Sequence, residues 1–246
     1  MTIASVILSQ LPTLYWQLND ATGPAAADSS GNGNAGVYLG KIGLQQPGPE
    51  ANTFAALFDA GGGVKSLTSS PRKVVPFSMS CWVALANVQP SSNVAIYNGR
   101  SDSTGAGIVW APGNSLGNPI QLLRGGIGFG GAVGSVTVVS WHHIAQTWDA
   151  TNAVAEYVDG ALLVGSPAVP FNALGPNDWF IAGAASLGGQ LLFMAHVALF
   201  SVALTAAQVA AQFAAPAALQ NPATVGTESG NAALLADVLK YVHKIY

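Results

Sequence analysis

Charged residues are scarce in this chain of 246 residues. Only 8% of the residues are Asp, Glu, Lys or Arg, against roughly 25% in ordinary soluble domains, and the mean hydropathy is +0.39. A free monomer with so few charges would disperse poorly, so we expect copies of the chain or neighbouring proteins to cover part of its surface. The alternative is a bias toward Ala, which raises hydropathy without forming an adhesive patch.

Clusters of positive charge and long hydrophobic runs are also missing. The eight Lys and Arg residues are scattered along a chain of net charge −3, which excludes the basic surface of a nucleic-acid-binding protein or of a protein that binds anionic membranes. The strongest apolar run, 191–200, is about half the length of a membrane span and contains His196. We therefore predict no transmembrane helix, but a strand that is buried on both faces.

Acidic residues are too few and too dispersed for glycoside hydrolysis. A glycosidase needs two carboxylates that face the scissile bond, and the only Glu residues are Glu50, Glu156 and Glu228. Sialic-acid chemistry would require an Arg cluster, whereas Arg72, Arg100 and Arg124 are far apart in sequence. We predict that the protein is not an enzyme.

Cysteine and a secretion signal are the remaining absences. Cys81 is the single cysteine, so no disulfide holds the chain. We expect Cys81 to be buried in a strand, where it packs as a small hydrophobic residue. Residues 1–5 have neither a basic region nor a signal-cleavage site. This fits a protein that leaves its cell by lysis within a virus particle, and a processed mature form or nonclassical export are the alternatives.

Residues 141–164 read as three short β-strands. Trp141 to Trp148 are mostly β-branched, aromatic and small residues, and 149–152 have turn chemistry. In a second strand, the alternate residues Val154, Glu156 and Val158 share one face. Asp159-Gly160 suits a two-residue hairpin because both central positions need positive φ. This pattern predicts a three-stranded antiparallel meander, and the 29 Gly and 14 Pro indicate frequent turns elsewhere, as in an all-β sandwich.

Several segments resemble one family in the right order. These are Leu14-Tyr15-Trp16-Gln17-Leu18, the Asp-Ser-Ser-Gly-Asn-Gly loop at 28–33, the Trp82 strand at 77–83, the Trp-His-His and Tyr-Val-Asp-Gly segments at 141–160, and 196–209. They are similar to laminin G-like, concanavalin A-like lectin/glucanase jelly-roll domains, which occur in bacteriophage structural proteins and bacterial surface proteins. The resemblance implies an all-β jelly-roll sandwich of two antiparallel sheets, but it specifies little about function because such scaffolds carry many unrelated sites.

We divide the chain into a jelly-roll domain at 1–216, a polar linker at 217–230 and an amphipathic C-terminal helix at 231–246. Thr205 and Gln208 have the spacing of a capping box, which predicts a short helix at the end of the domain. In the tail, an a/d stripe with nothing of its own to cover it predicts an oligomer seam, formed by Leu235, Val238, Val242 and Ile245. We expect a homo-oligomer, a trimer if the protein is a virion spike; docking of the tail onto its own sandwich is the alternative.

Two groups of residues are candidates for ligands. Asp28, Asn32 and Asn34 offer oxygens in a tightly bent loop and are weak calcium candidates, although an Asx-turn that caps its own backbone is the favoured interpretation. No other cofactor is predicted. Tyr97, Trp110 and Trp179 are candidates for stacking on sugar rings, with core packing as the alternative for each. The adjacent His142 and His143 point to opposite faces of a strand, so they are not expected to share one metal ion.

These features lead to two hypotheses about function. The first is a non-catalytic bacteriophage virion protein, part of the tail, baseplate or head as an accessory protein or fibre, whose jelly roll contacts host-surface glycans or other virion proteins. The alternative is a secreted or cell-surface carbohydrate-binding module. Low charge, the missing signal and the predicted helical tail favour the first.

Overall fold

The structure is a computed structural model that describes residues 1–58, 62–67, 75–85, 94–98, 107–110, 120–124, 127–130, 140–166, 180–181 and 192–222. The described residues form two short helices, α1 (Ile3–Ser9) and α2 (Ala206–Phe213), and sixteen strands. The strands are β1 (Leu14–Trp16), β2 (Ala25–Ala26), β3 (Gly36–Leu39), β4 (Ile42–Pro47), β5 (Phe54–Phe58), β6 (Gly63–Ser66), β7 (Phe77–Leu85), β8 (Val94–Asn98), β9 (Gly107–Trp110), β10 (Ile120–Arg124), β11 (Ile127–Gly130), β12 (His142–Trp148), β13 (Val154–Val158), β14 (Ala161–Ser166), β15 (Phe180–Ile181) and β16 (Leu192–Phe200).

The strands form two eight-stranded antiparallel sheets. Sheet A has the order β14-β13-β12-β7-β16-β5-β4, with β1 also paired to β16, and sheet B has the order β11-β10-β9-β8-β15-β6-β3-β2. This confirms the predicted all-β jelly-roll sandwich. Trp179 and the predicted tail with Leu235, Val238, Val242 and Ile245 lie outside the described residues, as does most of the predicted linker.

The predicted meander is present in sheet A as β12, β13 and β14. Ile144 pairs with Val158, and Val158 pairs with Ala161 across the second turn. Asp159 and Gly160 have φ of 51° and 74°, as a two-residue hairpin turn with two left-handed positions requires. The Asp-Gly pair therefore sets the register of the hairpin.

One core fills the space between the sheets. Among the described residues, its largest side chains include Trp16, Phe58, Phe77 and Trp148, all almost fully buried. Cys81 is also buried here, as predicted, and burial raises the pKa of its thiol. Burial of an aromatic or aliphatic side chain contributes roughly 1.5–3 kcal/mol, so this layer supplies much of the stability.

A second core lies on the outer face of sheet A, where α1 and α2 cover the strands. Ile3 and Ile7 of α1 and Val209 of α2 pack with Trp82 and Phe193 of the sheet. Thr205 and Gln208 form the predicted capping box, and Thr2 and Ser5 form another at α1. All nine residues of β16 are buried, which confirms burial on both faces.

Candidate functional site

The Asp28 loop is a hydrogen-bonded structural loop. Both carboxylate oxygens of Asp28 accept hydrogen bonds: Oδ1 from the backbone N–H groups of Tyr15 and Ser30, at 2.9 and 3.0 Å, and Oδ2 from the Asn34 N–H and the Ser30 hydroxyl, at 2.7 and 2.8 Å. Burial raises the pKa of Asp28, but the hydrogen bonds from Tyr15, Ser30 and Asn34 outweigh this effect and lower it below the usual value. The Ser30 N–H bond is the Asx-turn contact.

The two other calcium candidates also serve the loop. The side-chain amide groups of Asn32 and Asn34 donate to the carbonyl oxygens of Pro12 and Thr13, at 3.0 and 2.7 Å. Within the described ranges, no group of three or more His, Cys, Asp or Glu side chains is placed to hold a metal ion. The geometry therefore favours the Asx-turn interpretation of Asp28, Asn32 and Asn34.

Strand register gives the positions of two of the aromatic candidates. Tyr97 of β8 pairs with Ile108 of β9 and with Ile181 of β15, and Ile181 is buried between the sheets. Trp110 of β9 pairs with Val94 of β8 and with Ile120 of β10. Sugar stacking by Tyr97 and Trp110 stays a prediction.

A polar cleft, which we call the Glu50 cleft, opens beside α1 on the outer side of sheet A. Its volume is about 190 Å³, and it is lined by Thr2, Ala4, Gln17, Asn19, Glu50, Asn52, Thr53, Phe54 and His196. Thr2, Asn19, Asn52 and Phe54 are exposed, whereas Glu50 and His196 are buried. The cleft therefore has an accessible rim and a buried acid and imidazole beneath it.

Glu50 follows β4 and is tied to the start of α1. Its Oε1 accepts a hydrogen bond from the Ile3 N–H at 3.1 Å, and its Oε2 is buried without a partner. Burial raises the pKa of Glu50, although the Ile3 N–H and the terminal ammonium group act in the opposite direction. One carboxylate oxygen is thus used by the fold, and the other remains an unsatisfied acceptor.

His196 is placed by an irregularity in β16. The pairing of β16 with β7 shifts register between Ala195 and Ala198, and His196 has a φ of 53°, a left-handed conformation that strains a residue with a Cβ atom. Its N–H donates to the Gln17 carbonyl at 3.2 Å. Bulges of this kind redirect a side chain, and here the bulge places an imidazole in an otherwise apolar strand.

His196 is a neutral imidazole that is hydrogen-bonded to Tyr15. The Tyr15 hydroxyl lies 2.6 Å from Nδ1 of His196, and burial, followed by the charge of Glu50, raises the pKa of Tyr15, so this hydroxyl keeps its proton. Burial lowers the pKa of His196 to about 3, so the imidazole is neutral. A hydroxyl both donates and accepts, so this contact suits either tautomer of the ring, and the second ring nitrogen, Nε2, is buried without a partner.

Glu156 is a second buried acid, on the other side of sheet A. It pairs with Gln146 of β12 and lies between Val154 and Val158 on β13, which belong to or pack on the core between the sheets. Both carboxylate oxygens are buried without a partner, and burial raises the pKa of Glu156 to about 8. The predicted shared face of Val154, Glu156 and Val158 is confirmed.

His142 and His143 use different partners, as their alternation predicted. Nδ1 of His142 lies 2.8 Å from the Asp159 carboxylate, whereas Nε2 of His143 lies 2.9 Å from the Gln212 side-chain oxygen beneath α2. Burial lowers the pKa of His143 to about 4, although Gln212 and Asp159 oppose the shift. Both residues anchor secondary structure.

The Glu50 cleft was not predicted from the sequence. Glu50 reaches α1 only through a contact 47 residues away in sequence, and no local pattern encodes that. The available signal was His196, a polar residue within the strongest apolar run. An imidazole there needs a buried partner, which the structure supplies as Tyr15.

The family of the chain follows from comparison with known proteins. The model of the concanavalin A-like lectin/glucanases superfamily matches residues 58–210, and the chain belongs to this superfamily, as the sequence motifs indicated. Among curated proteins none matches the chain. No helix among the described residues is both long and apolar enough to cross a membrane.

Solved structures with the same fold include domains of several larger proteins. One is domain 4 of AbnA, a GH43 extracellular arabinanase from Geobacillus stearothermophilus, in complex with arabinotriose, with a TM-score of 0.59, 18% identity, and coverage of 82% of this chain and 97% of that domain. Trypanosoma rangeli sialidase has a TM-score of 0.58 and 14% identity over 81% of this chain. The receptor-binding domain of botulinum neurotoxin type G has a TM-score of 0.60 and 14% identity over 82%. This chain spans only 32% of the sialidase and 50% of the neurotoxin domain, and identities this low show the fold alone.

Proposed function

We propose that this protein is a non-catalytic glycan-binding module carried on a bacteriophage particle, with a secreted or cell-surface carbohydrate-binding module as the second candidate. The glycan-binding part rests chiefly on one observation: the chain matches nearly all of a domain solved with arabinotriose. A match over a whole domain is what a binding module of the same design would give. The Glu50 cleft adds a small concavity beside α1 with both polar and apolar lining residues.

The placement of Glu50 and Glu156, the two Glu residues that the structure describes, supports a non-catalytic role. Glycosidases hold two carboxyl groups within roughly 5–9.5 Å of each other across the substrate. Glu50 lies beside α1 on the outer side of sheet A, whereas Glu156 is buried between the sheets, so one sugar cannot contact both.

A second motif matches the spacing of the nucleophile elbow of hydrolases: Gly113-Asn114-Ser115-Leu116-Gly117. That motif requires a strand-to-helix turn in an α/β sheet, and Ser115 lies outside the described residues.

Glycan binding without hydrolysis is the first testable outcome. We expect the full chain to bind at least one class of immobilised glycan and to release no reducing sugar from it on long incubation. The glycans to be tested are arabinan oligosaccharides, sialylated glycans and bacterial surface polysaccharides. They are chosen from the proteins with a similar fold and from the proposed place on a phage particle. Sugar release would contradict the non-catalytic part of the proposal, and the absence of binding across the panel would contradict the glycan-binding part.

The virion part of the proposal rests on composition. A chain in which only 8% of the residues are charged favours a protein whose faces are covered by neighbours, as in a particle. The same property supports self-association through the predicted tail seam, with a trimer as the expected state.

Removal of the tail should therefore change the mass in solution. Light scattering is expected to give a trimer for the full chain and a monomer after deletion of 231–246 or after substitution of the seam with Leu235→Asp and Val242→Asp. A matched control, Lys240→Ala with Lys244→Ala, alters the same segment off the seam and should leave the trimer intact. A full chain that is monomeric at all concentrations would remove the oligomer proposal.

A further inference from the structure

We infer that the Glu50 cleft binds one ring of a neutral saccharide. Glu50 and His196 form hydrogen bonds with its hydroxyl groups, and Phe54 packs against its apolar face. This inference rests on the proposed glycan-binding function and assigns a site and a substrate class to it.

The size of the cleft limits the ligand to a single ring. A volume of about 190 Å³ is below the roughly 300 Å³ at which pockets for drug-sized ligands begin. The exposed rim lets the remainder of a chain continue into solvent. The cleft therefore fits an end residue or one residue of an oligosaccharide.

Two buried atoms of the cleft lack hydrogen-bond partners. Oε2 of Glu50 is an acceptor without a donor, and Nε2 of His196 is a ring nitrogen without a partner. A sugar hydroxyl both donates and accepts, so neighbouring hydroxyls can satisfy the two atoms together. Both atoms are sealed from bulk water, so a ligand reaches them only after a small movement of the lining side chains, and the new hydrogen bonds form at low dielectric.

The remaining lining provides contacts that suit a sugar. The Gln17 oxygen accepts from the Asn19 amide at 3.3 Å, and the Gln17 amide donates to the Ser29 hydroxyl at 2.9 Å, so the exposed Asn19 side chain offers its oxygen to a ligand at the rim. Phe54 is 42% exposed, an unusual position for a large aromatic ring. Its exposed part can pack against the C–H groups of a sugar.

The charge of the lining excludes acidic sugars. None of the described residues that line the cleft is Lys or Arg, and the terminal ammonium group nearby is matched by the Glu50 carboxylate. A carboxylate or sulfate on the ligand would be desolvated without a partner, which is costly. The cleft therefore selects neutral sugars over sialylated, uronic or sulfated ones.

The test measures affinity for neutral and acidic glycans with the full chain and with three variants. Glu50→Gln keeps an oxygen for the Ile3 N–H but removes the charged acceptor, and we expect about tenfold weaker binding to a neutral glycan. Phe54→Ala removes an exposed ring and should weaken binding by about fivefold. Glu156→Gln changes the buried acid on the other side of sheet A and should leave affinity unchanged. Thermal unfolding of each variant checks that the fold is retained.

The outcomes separate this inference from the proposed function. Weaker binding in both cleft variants, together with unchanged binding in Glu156→Gln, supports the cleft as the site. Glycan binding that neither cleft variant alters, or a preference for acidic glycans, overturns the cleft assignment and leaves the glycan-binding function in place. A wild-type chain that binds no glycan overturns both.

Discussion

Replacing Glu156 with Gln is expected to raise the free energy of unfolding by about 4 kcal/mol at pH 8 and to leave it nearly unchanged at pH 4. The reason is that Glu156 has no hydrogen-bond partner between the two sheets, and its pKa is raised from 4.5 to about 8 by burial. Gln has the same shape and cannot ionise, so the variant lacks the penalty that grows with pH.

The sign follows from which state holds the proton. Between pH 4.5 and about 8 the folded protein keeps the Glu156 proton, whereas the unfolded chain has lost it. Stability is therefore fully present below pH 4.5 and falls by about 1.4 kcal/mol for each pH unit up to the folded pKa. Above that pKa, both states are ionised and the loss is complete.

The buried histidines act in the opposite direction. His143 and His196 have folded pKa values lowered to about 4 and about 3, so their contribution is present above pH 6.5 and is lost as the pH falls through those values. The wild type should therefore be most stable near pH 6.5. The difference between wild type and Glu156→Gln cancels the histidine contributions and isolates Glu156.

Denaturant unfolding at intervals from pH 4 to pH 9 measures both curves. Glu50→Gln is the comparison variant, because the pKa of Glu50 is also raised but one of its oxygens keeps a hydrogen bond, so a smaller change of slope is expected. Parallel pH profiles for wild type and Glu156→Gln would mean that Glu156 is hydrated or paired in solution, contrary to the structure.

Local patterns predicted the features of this fold that depend on neighbours in sequence. The Asp159-Gly160 turn, the capping box of Thr205 and Gln208, and the burial of β16 each follow from a few adjacent residues. The alternation in β13 also placed Glu156 on the face shared with Val154 and Val158, although only the packed sandwich shows that this face has no solvent.

The candidate site depends on contacts that sequence periodicity does not record. Glu50 matters because it meets Ile3, and His196 matters because a bulge in β16 turns it toward Tyr15, 181 residues away. The aromatic candidates Tyr97 and Trp110 have the right chemistry for sugars, but their local sequence does not specify a binding site. Chemistry can be read locally, whereas the face of a residue is decided by pairing and bulges.

The second large effect is expected at Asp28. Asp28→Ala should lower the free energy of unfolding by at least about 3 kcal/mol, because four hydrogen bonds to a carboxylate are lost and each contributes roughly 1.5–3 kcal/mol before non-additivity. The N–H groups of Tyr15 and Asn34 lose their acceptor. The Asn34 carbonyl, which accepts from the Trp16 indole at 2.9 Å, is then less well held, so the damage extends to a core residue.

A matched control exists in the turn between β12 and β13. Asp149 also accepts from two backbone N–H groups and one hydroxyl, those of Thr151 and Ala153, but it lies at an exposed turn, where water replaces a lost acceptor. Asp149→Ala should therefore cost much less than Asp28→Ala in the same denaturant experiment. Equal losses would show that Asp28 is no more than a surface turn residue.

Calcium distinguishes the two interpretations of the loop. Because every Asp28 oxygen already accepts from the protein, adding calcium should not raise the melting temperature of the wild type, and Asp28→Asn, which keeps one acceptor oxygen, should be destabilised to an intermediate degree with or without the ion. Binding to the folded state alone would raise stability in proportion to the logarithm of the calcium concentration. A calcium-dependent rise in the wild type that disappears in Asp28→Asn would therefore make Asp28, Asn32 and Asn34 a cation site after all.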